Sequence, residues 1–67
     1  MISVVINGET REVPEGVMLD QLPELFSLPM QRIAIEVNKT VIRRADWPCI
    51  AINDGDKIEV VHFVGGG

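Results

Sequence analysis

The residues best suited to chemistry stand where the strand-like run Lys57 to Phe63 passes into Val64-Gly65-Gly66-Gly67. Without Cβ, glycine accepts φ of either sign and fits where a partner's wall approaches closely, so Gly65, Gly66 and Gly67 form a thin thread. Extended at ~3.3–3.6 Å per residue, such a thread would carry a carboxylate roughly 10 Å clear of a folded body. A terminal carboxyl group, with an ordinary pKa of about 3.3–3.7, is ionised at neutral pH and is a poor electrophile. Adenylation by ATP would turn one of its oxygens into part of a leaving group, opening the carbonyl carbon to a sulfur or amine nucleophile. A frayed end or an inert glycine extension is the competing reading, and the residues alone leave both open.

Elsewhere the reactive residue types read as structural. Cys49 is the one cysteine, too few for a disulfide, an iron–sulfur cluster or a structural zinc site, and is expected to be a small, partly buried hydrophobe. His62 has no second histidine or cysteine at ligand spacing, which argues against a metal. Asp54 and Asp56 open like a calcium loop, but the remaining ligands do not follow, so Asn53 to Asp56 reads as a turn. Phosphate loop, nucleophile elbow and zinc-protease motifs are missing from the sequence, and no catalytic residue is assigned.

At 67 residues the chain is one domain near the lower size limit for a single core, too small to enclose both a substrate and a catalytic constellation. A carrier or binding module is the better expectation. A net charge of −4 gives no footprint for a phosphate backbone, which makes nucleic acid an improbable partner. The opening Met1 to Gly8 lacks the pattern of a signal peptide, and no run is long enough to span a membrane, so a cytoplasmic location is expected.

The elements that must position the glycine thread follow from periodicity. Ile2, Val4 and Ile6 alternate with Ser3, Val5 and Asn7, and Asn7-Gly8 suits a type I′ turn back into Glu9 to Val13. Leu19, Leu22, Leu25 and Phe26 recur at helical spacing. Pro23 lacks an N–H, so this helix either starts late or has an irregular first turn. Ile33 to Val37 alternates again, Asn38-Lys39 turns, and Thr40 to Ile42 pairs back. Arg43 to Cys49 reads as a loop with a helical turn, Trp47 as cover for one edge of the core, and Lys57 to Val64 as the longest strand. The order β-β-α-β-β-β, with one helix crossing a mixed sheet, is an α+β arrangement that would give a ubiquitin-like β-grasp for residues 1–64 and a flexible tail for 65–67. In the final strand Ile58 and Val60 are expected in the core, and Val61 and Phe63 on the open face as a docking patch.

Ala34, Asn38, Arg44, Trp47, Gly55-Asp56, Ile58 and Val64-Gly65-Gly66-Gly67, in that order and spacing, resemble the pattern of the sulfur carrier proteins of thiamin biosynthesis, the ThiS family. The resemblance implies that an E1-like (ThiF-like) enzyme, using ATP and a metal ion of its own, adenylates Gly67. A cysteine desulfurase would then supply sulfur for a terminal thiocarboxylate, and thiazole synthase (ThiG-like) would consume it. It implies a carrier, not an enzyme, with no bound cofactor and a monomeric free state. Gly65, Gly66 and Gly67 would enter the partner's active site, while Val61, Phe63, Val64 and Arg44 would serve docking. The small subunit of molybdopterin synthase, a ubiquitin-like protein modifier and an inert β-grasp interaction module are the alternatives.

Overall fold

A computed structural model describes residues 1–29 and 31–63. Among these, five strands form one mixed sheet: β1 (Ile2–Ile6), β2 (Glu9–Val13), β3 (Ile33–Val37), β4 (Thr40–Ile42) and β5 (Lys57–His62). Their spatial order is β2-β1-β5-β3-β4, so β5 is the central strand. It runs parallel to β1, with Ile6 beside Ile58, and antiparallel to β3, with Ile35 opposite Val60. The arrangement is the ubiquitin-like β-grasp that the element order implies.

Each hairpin closes through a two-residue turn with positive φ at both central positions. Asn7 and Gly8 have φ of 50° and 83°, and Asn38 and Lys39 have φ of 52° and 72°. This is the type I′ turn, whose twist matches that of the flanking strands. Because side chains alternate across a strand, these turns fix which residues share a face.

The other layer is more irregular than a single helix. A 3₁₀ turn at Leu19–Gln21 runs into α1 (Leu22–Leu25), whose first turn contains Pro23. Proline is tolerated there because first-turn N–H groups have no partner within a helix. The Gln21 side chain accepts the Met18 N–H at 2.8 Å and so satisfies one donor at the entry. At the exit, Ser27 adopts φ 55°, its N–H donates to the Glu24 carbonyl, and the Leu28 N–H donates to the Pro23 carbonyl at 2.7 Å. These paired bonds are a Schellman motif, which ends the helix at Leu25 with Phe26 as its C-cap. The helical stripe is therefore shorter than its spacing suggests: Leu19 and Leu22 are buried, whereas Leu25 remains 49% exposed.

Arg44–Cys49 forms a second 3₁₀ segment, longer than the one turn expected. With three residues per turn, Arg44, Trp47 and Ile50 share a side, and Trp47 is buried in the core while Ile50 packs against it. Cys49 falls on the outer side and is exposed, which corrects the expectation of partial burial. Leu19 N–H donates to the Ile50 carbonyl at 2.8 Å and Ile52 N–H to the Val17 carbonyl at 3.0 Å, tying the two connections together over the sheet. The core between the layers contains Val4, Ile6, Leu19, Leu22, Ile35, Trp47 and Ile58. Burying one such aliphatic side chain stabilises by about 1.5–3 kcal/mol, so a few contacts decide whether a domain this small folds.

Candidate functional site: the central strand and the open sheet face

The strand that leads toward the glycines is held on both sides by asparagine side chains from the two hairpin turns. On the β1 side, the main-chain N–H of Asn7 donates to the Ile58 carbonyl at 2.9 Å. Its side chain then continues the ladder past the end of β1, with Oδ1 accepting the Val60 N–H at 2.7 Å and Nδ2 donating to the Val60 carbonyl at 3.3 Å. On the β3 side, Asn38 N–H donates to the Lys57 carbonyl at 2.7 Å, and its Oδ1 accepts the Lys57 N–H at 2.9 Å. The Asn38 Nδ2 donates to Asp56 Oδ1 at 3.0 Å, while Asp56 Oδ2 accepts the Asn53 N–H at 2.8 Å. Asp56 is a buried carboxylate with both oxygens occupied, and among the described residues no buried side-chain N or O lacks a partner.

The turn before β5 is tied to β1 as well. Asp54 Oδ1 accepts the Ser3 N–H at 2.9 Å, and the Gly55 N–H donates to the Ser3 carbonyl at 2.7 Å. Gly55 has φ +87°, a conformation that few residues with a Cβ adopt. The acidic residues of this turn thus act as hydrogen-bond acceptors for the backbone, in agreement with reading Asn53 to Asp56 as a turn.

The β3–β5 register assigns the faces of the sheet. Ile58, Val60 and His62 lie across from Val37, Ile35 and Ile33 on the core side; Glu59 and Val61 lie across from Glu36 and Ala34 on the open side. Glu36 also faces Val41 of β4. Val41, Val61 and Phe63 are 61%, 52% and 50% exposed, respectively. The ladder extends one residue past β5, since the Phe63 N–H donates to the Arg32 carbonyl at 2.8 Å. This holds the last described residue against β3. The strand itself ends at His62, shorter than the expected run to Val64.

Of the residues assigned to docking from the sequence, Val61 and Phe63 therefore meet on the open face. Arg44 does not join them. Its guanidinium carbon lies 4.4 Å from the centroid of the Trp47 ring, whose indole Nε1–H donates to the Ile42 carbonyl at 3.0 Å. Trp47 belongs to the core, so Arg44 sits with the layer that covers it. Val64, Gly65, Gly66 and Gly67 lie outside the described residues. Sequence reasoning passed over Val41, Glu36 and Glu59, although the two-residue turn at Asn38-Lys39 already places Val41 opposite Glu36. It also passed over the bridging amides of Asn7 and Asn38, which no periodicity signals.

His62 and Cys49 are exposed, and among the described residues no three His, Cys, Asp or Glu side chains gather at metal-binding distance. No described helix is long and apolar enough to cross a membrane.

Comparison with known proteins agrees with this geometry. The model of the ThiS family matches residues 4–67. A thiazole synthase of Paramagnetospirillum magneticum is 33% identical over 66 residues, covering 98% of this chain and 20% of that protein. The chain thus spans about a fifth of the length of that relative. The sulfur carrier protein ThiS of Bacillus subtilis is 38% identical over 42 residues, 63% of this chain and 64% of its own. The crystal structure of the thiamine biosynthesis protein ThiS from Geobacter metallireducens superposes with a TM-score of 0.86 at 25% identity, covering 98% of this chain and 100% of that one.

Proposed function

The chain belongs to the ThiS family, and on that premise we propose that it is a sulfur carrier for thiazole formation in thiamin biosynthesis. The observation that carries the reading is the span of the family match, residues 4–67, which takes in all of the sheet but the first two residues of β1, and the glycines after it. A carboxylate oxygen of Gly67 attacks the α-phosphorus of ATP in the active site of an E1-like enzyme, and pyrophosphate leaves. The terminal sulfur of a cysteine desulfurase persulfide then attacks the acyl carbon and expels AMP. A thiol then attacks the desulfurase cysteine's sulfur in the resulting acyl disulfide, forming a disulfide with that cysteine and expelling the thiocarboxylate, from which thiazole synthase takes sulfur.

None of these steps asks the carrier for an acid, a base or a metal. ATP, its metal ion and the catalytic groups belong to the partners. The carrier contributes a rigid strand that fixes the root of the thread and a sheet face by which the partner recognises it. Glycines at 65, 66 and 67 suit entry into a narrow channel, because a main chain without side chains has the smallest cross-section. Val61 and Phe63 provide apolar area at the thread's root, where aromatic and aliphatic anchors contribute most to binding. The similarity to a thiazole synthase supports that enzyme as the acceptor of the sulfur.

Intact mass measures the central step. Incubation with ATP, the E1-like enzyme and sulfide is expected to replace one oxygen of the protein by sulfur, in an ATP-dependent manner and at Gly67. An unchanged mass with an enzyme proven active on its own carrier would refute the proposal.

A further inference from the structure

On the open face, Glu36 and Glu59 stand directly opposite each other across β3 and β5. Side chains so placed have Cβ atoms roughly 4.5–5.5 Å apart, and like charges there destabilise the sheet. Neither carboxylate is ion-paired: among the described residues the only salt bridge joins Arg11 to Glu9 at 2.7 Å. Lys57 lies on the same face two residues before Glu59, yet makes no pair with it. The chain already carries a net charge of −4, so the pair adds repulsion to an acidic domain. Around it are Val41 and Val61, both more than half exposed, with Phe63 half exposed farther along β5. Among the described residues neither carboxylate has a salt-bridge partner, and Val41, Val61 and Phe63 stay exposed.

We infer that Glu36 and Glu59 receive an arginine of the adenylating enzyme, with Val41, Val61 and Phe63 as the apolar surround of that contact. The inference rests on the proposed carrier function. The occupant follows from reach and from chemistry. Gly67 is four residues beyond Phe63, no more than about 14 Å of extended chain, so an enzyme that activates Gly67 must have its wall against the Phe63 end of β5, and Glu59 lies four residues, roughly 13 Å, back along the same face. Arginine suits the site because its planar fork can bridge two carboxylates, and its weakly hydrated guanidinium tolerates apolar neighbours better than an ammonium does. Charge of opposite sign at such a contact governs encounter and partner choice, a role separate from the chemistry at the glycine. The carboxylate pair thus opposes the stability of the free domain and favours its complex.

The test is ATP–pyrophosphate exchange by the E1-like enzyme of the same source, measured against carrier concentration and salt. Replacing both carboxylates in E36Q/E59Q is expected to raise the KM for the carrier on the order of tenfold at low salt, with kcat unchanged and the gap narrowing as salt rises. Thermal unfolding should show the variant as stable as the parent or more so, because a repulsion has been removed. Charge reversal in E36K/E59K should weaken binding further. An unchanged KM in both variants would overturn the inference, and so would a rise in KM accompanied by a fall in Tm. A defect confined to binding of thiazole synthase would overturn it as well, since the pair would then serve the other partner. If the parent protein supports no exchange, the carrier function itself fails, and the inference with it; normal exchange by parent and variants alike removes only the inference.

Discussion

The side-chain amide of Asn7 makes both hydrogen bonds that a strand residue would make to Val60, accepting its N–H at 2.7 Å and donating to its carbonyl at 3.3 Å. One residue therefore turns the first hairpin and adds a rung to the parallel β1–β5 ladder. Asn7→Ala removes the rung and places alanine at φ 50°, and is expected to cost about 2–3 kcal/mol in urea unfolding. Asn7→Gly keeps the turn conformation and should cost about half as much. In both variants the Val60 amide should exchange its hydrogen faster relative to amides in β3. Equal exchange in parent and variants would show that the amide does not hold the strand.

Asp56 and Asn38 act as a unit from the other side of β5. Removing either leaves part-buried polar atoms of the other unmatched, at about 1–3 kcal/mol each. The double variant Asn38→Ala/Asp56→Ala should be less damaging than the sum of the single variants, because the second substitution removes groups that the first had already orphaned. Strict additivity in a double-mutant cycle would contradict the shared network.

Phe63 separates stability from function. With half its surface exposed, Phe63→Ala should change the unfolding free energy by no more than about 0.5 kcal/mol. The same substitution should raise the KM for the carrier in adenylation several-fold, since an aromatic anchor at the root of the thread would be lost. Unaltered adenylation would remove Phe63 from the docking surface.

Trp47 and Arg44 are expected to behave in the opposite way. Trp47→Phe takes the donor from the Ile42 carbonyl and leaves a gap in the core, together about 1–3 kcal/mol. Arg44→Ala removes the side chain whose guanidinium lies above the indole, at about 0.5–1 kcal/mol, and should leave adenylation kinetics unchanged. A kinetic defect without loss of stability would return Arg44 to the docking residues.

On the proposed function, with Gly67 bearing the reacting carboxylate, an extension beyond Gly67 should leave the fold intact and abolish sulfur transfer. Identical thermal unfolding alongside a mass that no longer shifts is the expected pair of results. Full activity in an extended protein would locate the chemistry elsewhere.

Much of the architecture is legible in the residues because the sheet obeys a strict period of two. Ile2-Val4-Ile6 and Ile33-Ile35-Val37 declare their strands, and Asn7-Gly8 and Asn38-Lys39 declare the turns between them. The helical layer reads less well, since Pro23 and Pro48 sit inside short 3₁₀ and α segments whose burial follows from tertiary contacts rather than from a long amphipathic stripe. Cys49 illustrates the cost: the usual preference of a lone cysteine for burial suggested a partly buried side chain, but the three-residue turn directs it outward. At the candidate site, exposure of Val61 and Phe63 followed from alternation along one strand. The opposition of Glu36 and Glu59 required the pairing of strands more than twenty residues apart, which no local pattern encodes.

The position of β5 has a consequence for how the protein is made. It occupies the middle of the sheet yet follows every other described strand in chain order, so a ribosome must release residues through His62 before β1 and β3 can be joined. Closure that depends on such distant contacts is slow compared with hairpin formation. A nascent or prematurely terminated copy that lacks β5 consequently cannot join its two hairpins into one sheet.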